Sequence, residues 1–177
     1  LLALGRDVSV AIARCGSMRA MLTSCTEAIV KHLDAAFARI WTADSSGDVL
    51  ELQASSGMYT HLDGRHSRIP VGHFKIGLIA QERQPHLTND VARGPRVNDQ
   101  EWARREGLVS FAGHPLVVGE RLVGVVALFA RQPLSTAAVD ALASIADVIG
   151  VGIERRRQAE ALALSEAVAQ SANRAKS

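Results

Sequence analysis

The sequence predicts an α+β fold, with a central antiparallel sheet, long terminal helices on one face, and smaller helices and loops on the other. Three observations carry this. Apolar residues recur at a 3–4 spacing at both ends of the chain. Two pairs of strand-length segments are each joined by a short turn, as in hairpins. Between the hairpins the chain is broken into short pieces by Gly, Pro and Asn.

Each element follows from its local pattern. Residues 1–14 read as helix, with Leu4, Val8, Ile12 and Cys15 on one stripe, and Gly16-Ser17 interrupt it. A second helix over 18–33 carries Leu22, Cys25, Ile29 and Leu33. A strand over 37–43 follows, and Ser45-Ser46-Gly47-Asp48 supplies a turn. Over 49–55, Val49, Glu51 and Gln53 alternate with Leu50, Leu52 and Ala54, which predicts a half-buried strand. Residues 56–72 read as loop. A helix over 74–83 is stopped by Pro85, and 86–88 suits a short strand. Residues 89–97 read as loop. Asn98 precedes Glu101 by three, a capping-box spacing that starts a short helix over 99–106, closed by Gly107. Strands over 108–118 and 121–130 meet at a tight Gly119-Glu120 turn. The second is almost wholly apolar, as in a central strand covered on both faces. Ser135 or Thr136 caps a long helix over 136–170, apolar at Val139, Leu142, Ile145, Ile149 and Ile153. Gly150 and Gly152 within it suggest close packing against a neighbour rather than a hinge.

Composition narrows the function. Lys+Arg is 20 and Asp+Glu 18, a formal charge of +2, so no basic excess points to nucleic acid. Hydrophobic residues are 47%, enough for a real core, and aromatics only 4%, so that core must be largely Ala, Val, Leu and Ile. No continuous apolar run reaches the roughly 18 residues of a membrane span. Two cysteines, Cys15 and Cys25, make no disulfide framework, which suits a reduced, cytoplasmic setting. The chain opens on Leu1 rather than Met and is expected to be a segment of a longer protein. Arg155-Arg156-Arg157 reads as a solvated helix face with intrahelical ion pairs.

The stretch over 71–129 resembles the GAF domain family. The residues that carry the resemblance are Val71-Gly72, Gly77-Leu78-Ile79-Ala80, and Pro85-His86-Leu87-Thr88-Asn89-Asp90-Val91. With them go Glu101-Trp102-Ala103-Arg104-Arg105-Glu106-Gly107, Gly113-His114-Pro115-Leu116-Val117-Val118 and Leu122-Val123-Gly124-Val125. Ala38-Arg39-Ile40-Trp41 and the run from Leu50 to Gly57 are similar to the family's first hairpin. The resemblance covers about residues 18–155, with 1–17 as an N-terminal helix (linker or dimerisation) and 156–177 as a helical linker to an output module. It is greatest to GAF domains of multidomain bacterial sensor histidine kinases. It implies a profilin-like sheet of five or six strands and a ligand pocket under the short helices and loops. It also implies signal relay in a two-component phosphorelay, without catalysis in this domain. A diguanylate cyclase or a transcription regulator are alternative hosts. A non-sensing structural or dimerisation module with a collapsed pocket is the alternative role.

The ligand is not named by the sequence. Covalent bilin is not expected, because the family holds it through a pocket cysteine and neither cysteine lies in the pocket region. The same absence argues against methionine sulfoxide reduction by pocket thiolates. No cyclic-nucleotide signature of the Asn-Lys-x-Asp type is present. His61, Asp63 and His66 do not have a metal-ligand spacing, so neither metal nor haem is expected. His32, His73 and His86 suit surface or local hydrogen bonds.

The candidate ligand-binding residues are Tyr59, His61, Lys75, Asn89, Trp102, Phe111 and His114, an aromatic wall with a few polar groups. Trp102 and Phe111 equally suit a core, Lys75 a surface, and His114 a satisfied half-buried position. The stripes Leu4, Val8, Ile12 and Ile145, Ile149, Ile153 are candidates for a homodimer through a helical bundle.

Overall fold

The structure is a computed structural model, describing residues 1–14, 16–94 and 99–177. Its order is α1 (Leu2–Arg14), α2 (Met18–Leu33), β1 (Phe37–Ala43), β2 (Val49–Gly57), β3 (Arg68–Pro70), α3 (Phe74–Glu82) and β4 (His86–Thr88). A 3₁₀ turn (Val91–Arg93), α4 (Gln100–Arg105), β5 (Ser110–Val118), β6 (Arg121–Ala130) and α5 (Thr136–Ala175) follow. The six strands form one antiparallel sheet in the order β3-β2-β1-β6-β5-β4.

Sequence and structure agree on most elements. Differences fall where segments are too short to show a period. β3 lies inside the expected 56–72 loop, and the 3₁₀ turn inside the 89–97 loop. The expected cap Asn98, like Cys15 on the first stripe, lies outside the described residues. The cap of α4 is Asp99, whose Oδ1 accepts from the Trp102 amide at 2.8 Å. Ser135 caps α5 through the Ala138 amide at 3.1 Å.

The sheet separates two cores of different chemistry. Between it and α1, α2 and α5 lies an aliphatic core that includes Leu4, Val8, Leu22, Cys25, Ile29, Val126, Leu128, Ile145, Ile149 and Ile153. Each such fully buried Leu or Ile contributes on the order of 1.5–3 kcal/mol. The other face carries Phe37, Trp41, Leu52, Phe111 and Ala127 beneath α3, which contributes Ile79, α4 and the 58–67 loop.

Two bulges set which side chain faces which core. Ile40 pairs with Ala54 and Trp41 with Leu52, leaving Gln53 as the extra residue. The expected single face of Leu50, Leu52 and Ala54 is therefore divided. Leu50 and Leu52 join the core under α3, whereas Ala54 faces the long helices. The same shift turns Ser55 toward Arg39 and Ser56 toward α2, where its Oγ meets Thr26 Oγ1 at 2.6 Å. A second bulge, between Leu116 and Val117, places Val123 on the helix side.

Three expectations about the helices need correction. First, the stripes assigned to a homodimer are covered within the chain. Leu4, Val8, Ile149 and Ile153 have no exposed surface and Ile145 only 4%, because α1, α2 and α5 pack on one another and on the sheet. Ile12 packs against the same core, so these residues are not free to meet a second copy. Second, an 18-residue window of α5 is long and apolar enough by composition to cross a membrane, and 39% of that window is buried inside the fold. Its apolar character has a local use, since one face lies on the sheet. Third, Glu154 pairs with Arg121 of β6 at 3.2 Å and Arg157 donates to the Ala43 carbonyl of β1, so the charged segment ties α5 to the sheet. The glycines do serve close packing. A Cβ at Gly152 would lie 3.1 Å from three Ile12 carbons, and one at Gly150 would meet Val118 at 3.5 Å.

Candidate functional site: an aromatic cavity

A cavity of about 340 Å³ opens on the face away from the long helices. Its floor follows from strand register. Along β1, residues 37, 39 and 41 point the same way, because side chains alternate with period 2. Phe37 sits beside Phe129 of β6, and Phe129 beside Phe111 of β5. One step along, Arg39 sits beside Ala127, and Ala127 beside Gly113. The sheet thus carries an aromatic row next to a row with small residues, and of these Ala127 lines the hollow, while Ile79 and the Phe111 ring fill the space over Gly113. Gly113 is constrained, since a Cβ there would come within 2.5 Å of Ile79 Cδ1.

The walls complete it. Phe37 and Phe129 stack at 5.0 Å between centroids, and Phe111 meets Phe129 edge-on at 4.9 Å. Tyr59 meets Phe37 edge-on at 5.0 Å and accepts a hydrogen bond from Trp102 Nε1 at 2.9 Å, which fastens α4 to the 58–67 loop. Trp41 Nε1 donates to the His66 carbonyl at 2.8 Å, holding the far end of that loop. Phe74 opens α3 at φ 55°, a genuine outlier for a bulky side chain, with its ring against His66 at 5.5 Å. All four Phe, both Trp and the one Tyr of the chain line this cavity. The aliphatic core behind the sheet holds none of them.

The polar lining is mostly cationic. Arg39 is 8% exposed, donates from Nε to Ser55 Oγ at 3.0 Å, and lies 5.6 and 5.8 Å from the Phe37 and Tyr59 rings. A guanidinium only donates, so its 3.3 Å contact with His61 Nε2 makes that nitrogen an acceptor. Burial lowers the Arg39 pKa, partly opposed by Tyr59. Lys75, 8% exposed, places Nζ 4.0 Å from the Phe111 centroid. Arg65 lies 5.3 Å over Phe74. His66 is held below the usual histidine range, first by burial and then by the charges of Arg39 and Arg65, so it is neutral at pH 7. Asp99 is the one carboxylate in the lining, and it already caps α4.

Of the seven candidate residues, Tyr59, His61, Lys75, Trp102 and Phe111 line the cavity. Asn89 and His114 do not. Asn89 Oδ1 accepts from the Leu134 amide at 2.9 Å and so pins the connection into α5. His114 lies three residues from Phe111 in one strand, an odd step that turns it to the face of Ala112 and Leu116. Its Nδ1 is 2.9 Å from the Pro115 carbonyl. Sequence reasoning missed Phe37, Arg39, Trp41, Arg65, His66, Phe74 and Phe129. The scarcity of aromatics was the usable signal, because all seven aromatic residues of the chain are at the cavity. Cys25 is buried in the helical core on the opposite side of the sheet. Among the described residues no group of three or more His, Cys, Asp and Glu is placed to hold a metal ion.

Comparison with known proteins adds the family. No curated protein sequence matches the chain. The fold is shared with the GAF domain of a phosphoenolpyruvate-protein phosphotransferase from Acinetobacter, at 19% identity and TM-score 0.75, over 90% of this chain and 96% of that one. A free methionine-R-sulfoxide reductase from Neisseria meningitidis, solved with its substrate, matches at 20% identity and TM-score 0.71 over 89% of each chain. A domain of a putative two-component sensor histidine kinase protein from Sinorhizobium meliloti 1021 matches at 20% and 0.62, over 83% of this chain and 97% of that one. A GAF domain model matches residues 15–154, most of the chain, so the chain belongs to the GAF domain family.

Proposed function

We propose that the chain is a regulatory sensory domain whose cavity takes a small molecule and whose terminal helices relay occupancy to a covalently linked output module. One observation carries the reading: every aromatic side chain of an aromatic-poor sequence surrounds one hollow of about 340 Å³, within the size range of ligand pockets. A spacing module would have no reason to keep that hollow over Ala127. The host we favour is a bacterial sensor histidine kinase in the cytoplasm, and the Sinorhizobium neighbour supports that choice. We read the domain as non-catalytic, although a reductase shares the fold, because Cys25 lies across the sheet from the cavity.

Native mass spectrometry of the protein purified from its own host tests this. The expected result is a retained small molecule that is lost in Ala127→Leu, which fills the floor. Protein carrying no retained mass, with the same spectrum for Ala127→Leu, would sink the sensing reading.

A further inference from the structure

We propose that Arg39 alone anchors the ligand, and that the cavity takes a small apolar monocarboxylic acid with its carboxylate on the Arg39 guanidinium and its apolar body over Ala127. This rests on the cavity being a ligand site and adds the ligand's chemical class.

Register places the anchor. In the sheet Arg39 lies between Ser55 of β2 and Ala127 of β6. Its Nε donates to Ser55 Oγ at 3.0 Å, so the guanidinium leans toward β2 and away from Ala127. The Phe37 and Tyr59 rings flank it at 5.6 and 5.8 Å. A cationic head and an apolar floor therefore stand side by side in one hollow.

Charge and hydrogen-bond polarity choose the partner. Arg39 is 8% exposed and lines the cavity. Among the described residues no carboxylate pairs with it, and its polar partners are Ser55 and His61. Asp99, the one carboxylate of the lining, is exposed and caps α4. Rings and a hydroxyl stabilise a buried cation without neutralising it, so an incoming anion is favoured. The acceptors around Arg39 are spent. Ser55 Oγ takes Nε, His61 Nε2 takes Nη2, and the Tyr59 carbonyl takes the Ser55 hydroxyl. Nη1 has no acceptor among the described residues. A planar carboxylate suits a guanidinium fork, because its two oxygens accept from neighbouring N–H groups. The Tyr59 hydroxyl accepts from Trp102, which leaves its own proton to donate. An amine would bring like charge to Arg39, and an amide would leave the guanidinium charge unanswered.

Size and lining describe the rest of the ligand. Away from Arg39 the floor and walls include Trp41, Phe74, Ile76, Ala127 and Phe129, which call for an apolar body. A cavity of roughly 150 Å³ holds benzene, so this one, at about 340 Å³, has room for an acid head and a body of about one ring.

The test is calorimetric titration of the whole chain with phenylacetate, phenylacetamide and phenethylamine, which differ chiefly in the charge of the head. Phenylacetate is expected to bind about tenfold or more tighter than the amide, with the amine weakest. Arg39→Met should abolish the preference for the acid and leave amide affinity unchanged, which also shows that the variant is folded. If Arg39→Met does not fold, Arg39→Lys decides. It keeps the charge but loses the planar fork, and the preference should fall about threefold or more. An acid preference that survives undiminished in the Arg39 variant overturns the assignment of the anchor. Equal or tighter binding of the amide or the amine by the unaltered chain overturns the carboxylate and leaves the cavity a ligand site. No binding of any of the three at millimolar concentration overturns the ligand class, and a retained small molecule in the native protein would still uphold the cavity.

Discussion

Arg39 shows what a single residue can reveal and hide. It lies between Phe37 and Trp41 in a strand buried on both faces, so no polar–apolar alternation marks the cavity side. The three-residue set 37, 39 and 41 becomes visible only when register places Ala127 beside it. His66 is the titratable side chain that reads this environment. Its folded pKa is depressed, so below about 6.5 the unfolded chain takes up a proton that the folded chain resists. Stability is therefore full above that pH and falls as pH drops toward the depressed value. In His66→Gln this part of the decline between pH 7 and 5 should be absent from urea midpoints. An unchanged pH profile would contradict the burial of that ring. At the floor, Ala127→Leu adds carbon to open space. It should cost less than the ~1–3 kcal/mol of overpacking a filled core, as measured by urea unfolding.

Elements were legible in proportion to their length. α2, β1 and β6 have the limits that periodicity predicts, whereas β3 and the 3₁₀ turn span three residues each and carry no period. Bulges were invisible for another reason. An extra residue such as Gln53 changes facing without changing composition, and so Ala54 was assigned to the wrong side. The site was less legible than the fold, because facing within a strand depends on register. His114 and Phe111 share β5 yet face opposite ways. Helix packing offers a test at this scale. A larger side chain at Gly152 must displace Ile12, so Gly152→Val should lose about 1–3 kcal/mol of stability. Shortening the partner in Gly152→Val/Ile12→Ala should recover part of that loss. Additive losses in chemical denaturation would show that α1 does not pack on α5 at this point.

At the scale of the molecule, one sheet serves two compartments. Phe111, Ala127 and Phe129 touch the cavity, and their strand neighbours Ala112, Val126 and Leu128 touch the long helices, so the cavity floor and the bed of the long helices are the same backbone. Beyond Arg157 the position of α5 changes character, for residues 158–177 are all exposed. Ending the chain at Gln158 should leave unfolding free energy within about 0.5 kcal/mol, since no core residue is lost. Amides after about residue 160 should exchange with solvent far faster than those over 142–153, as a helical stretch of this length without packing is marginal in water. The Arg157–Ala43 contact is then the last tie between α5 and the sheet. From there to Ala175 the helix runs about 27 Å, so a tilt of only about 4° at its root sweeps the tip through roughly 2 Å. In the proposed relay, α5 held helical by an output module acts as a lever arm with its fulcrum at the Ala43 end of β1, turning a sub-ångström shift of the sheet into a displacement that the module can detect.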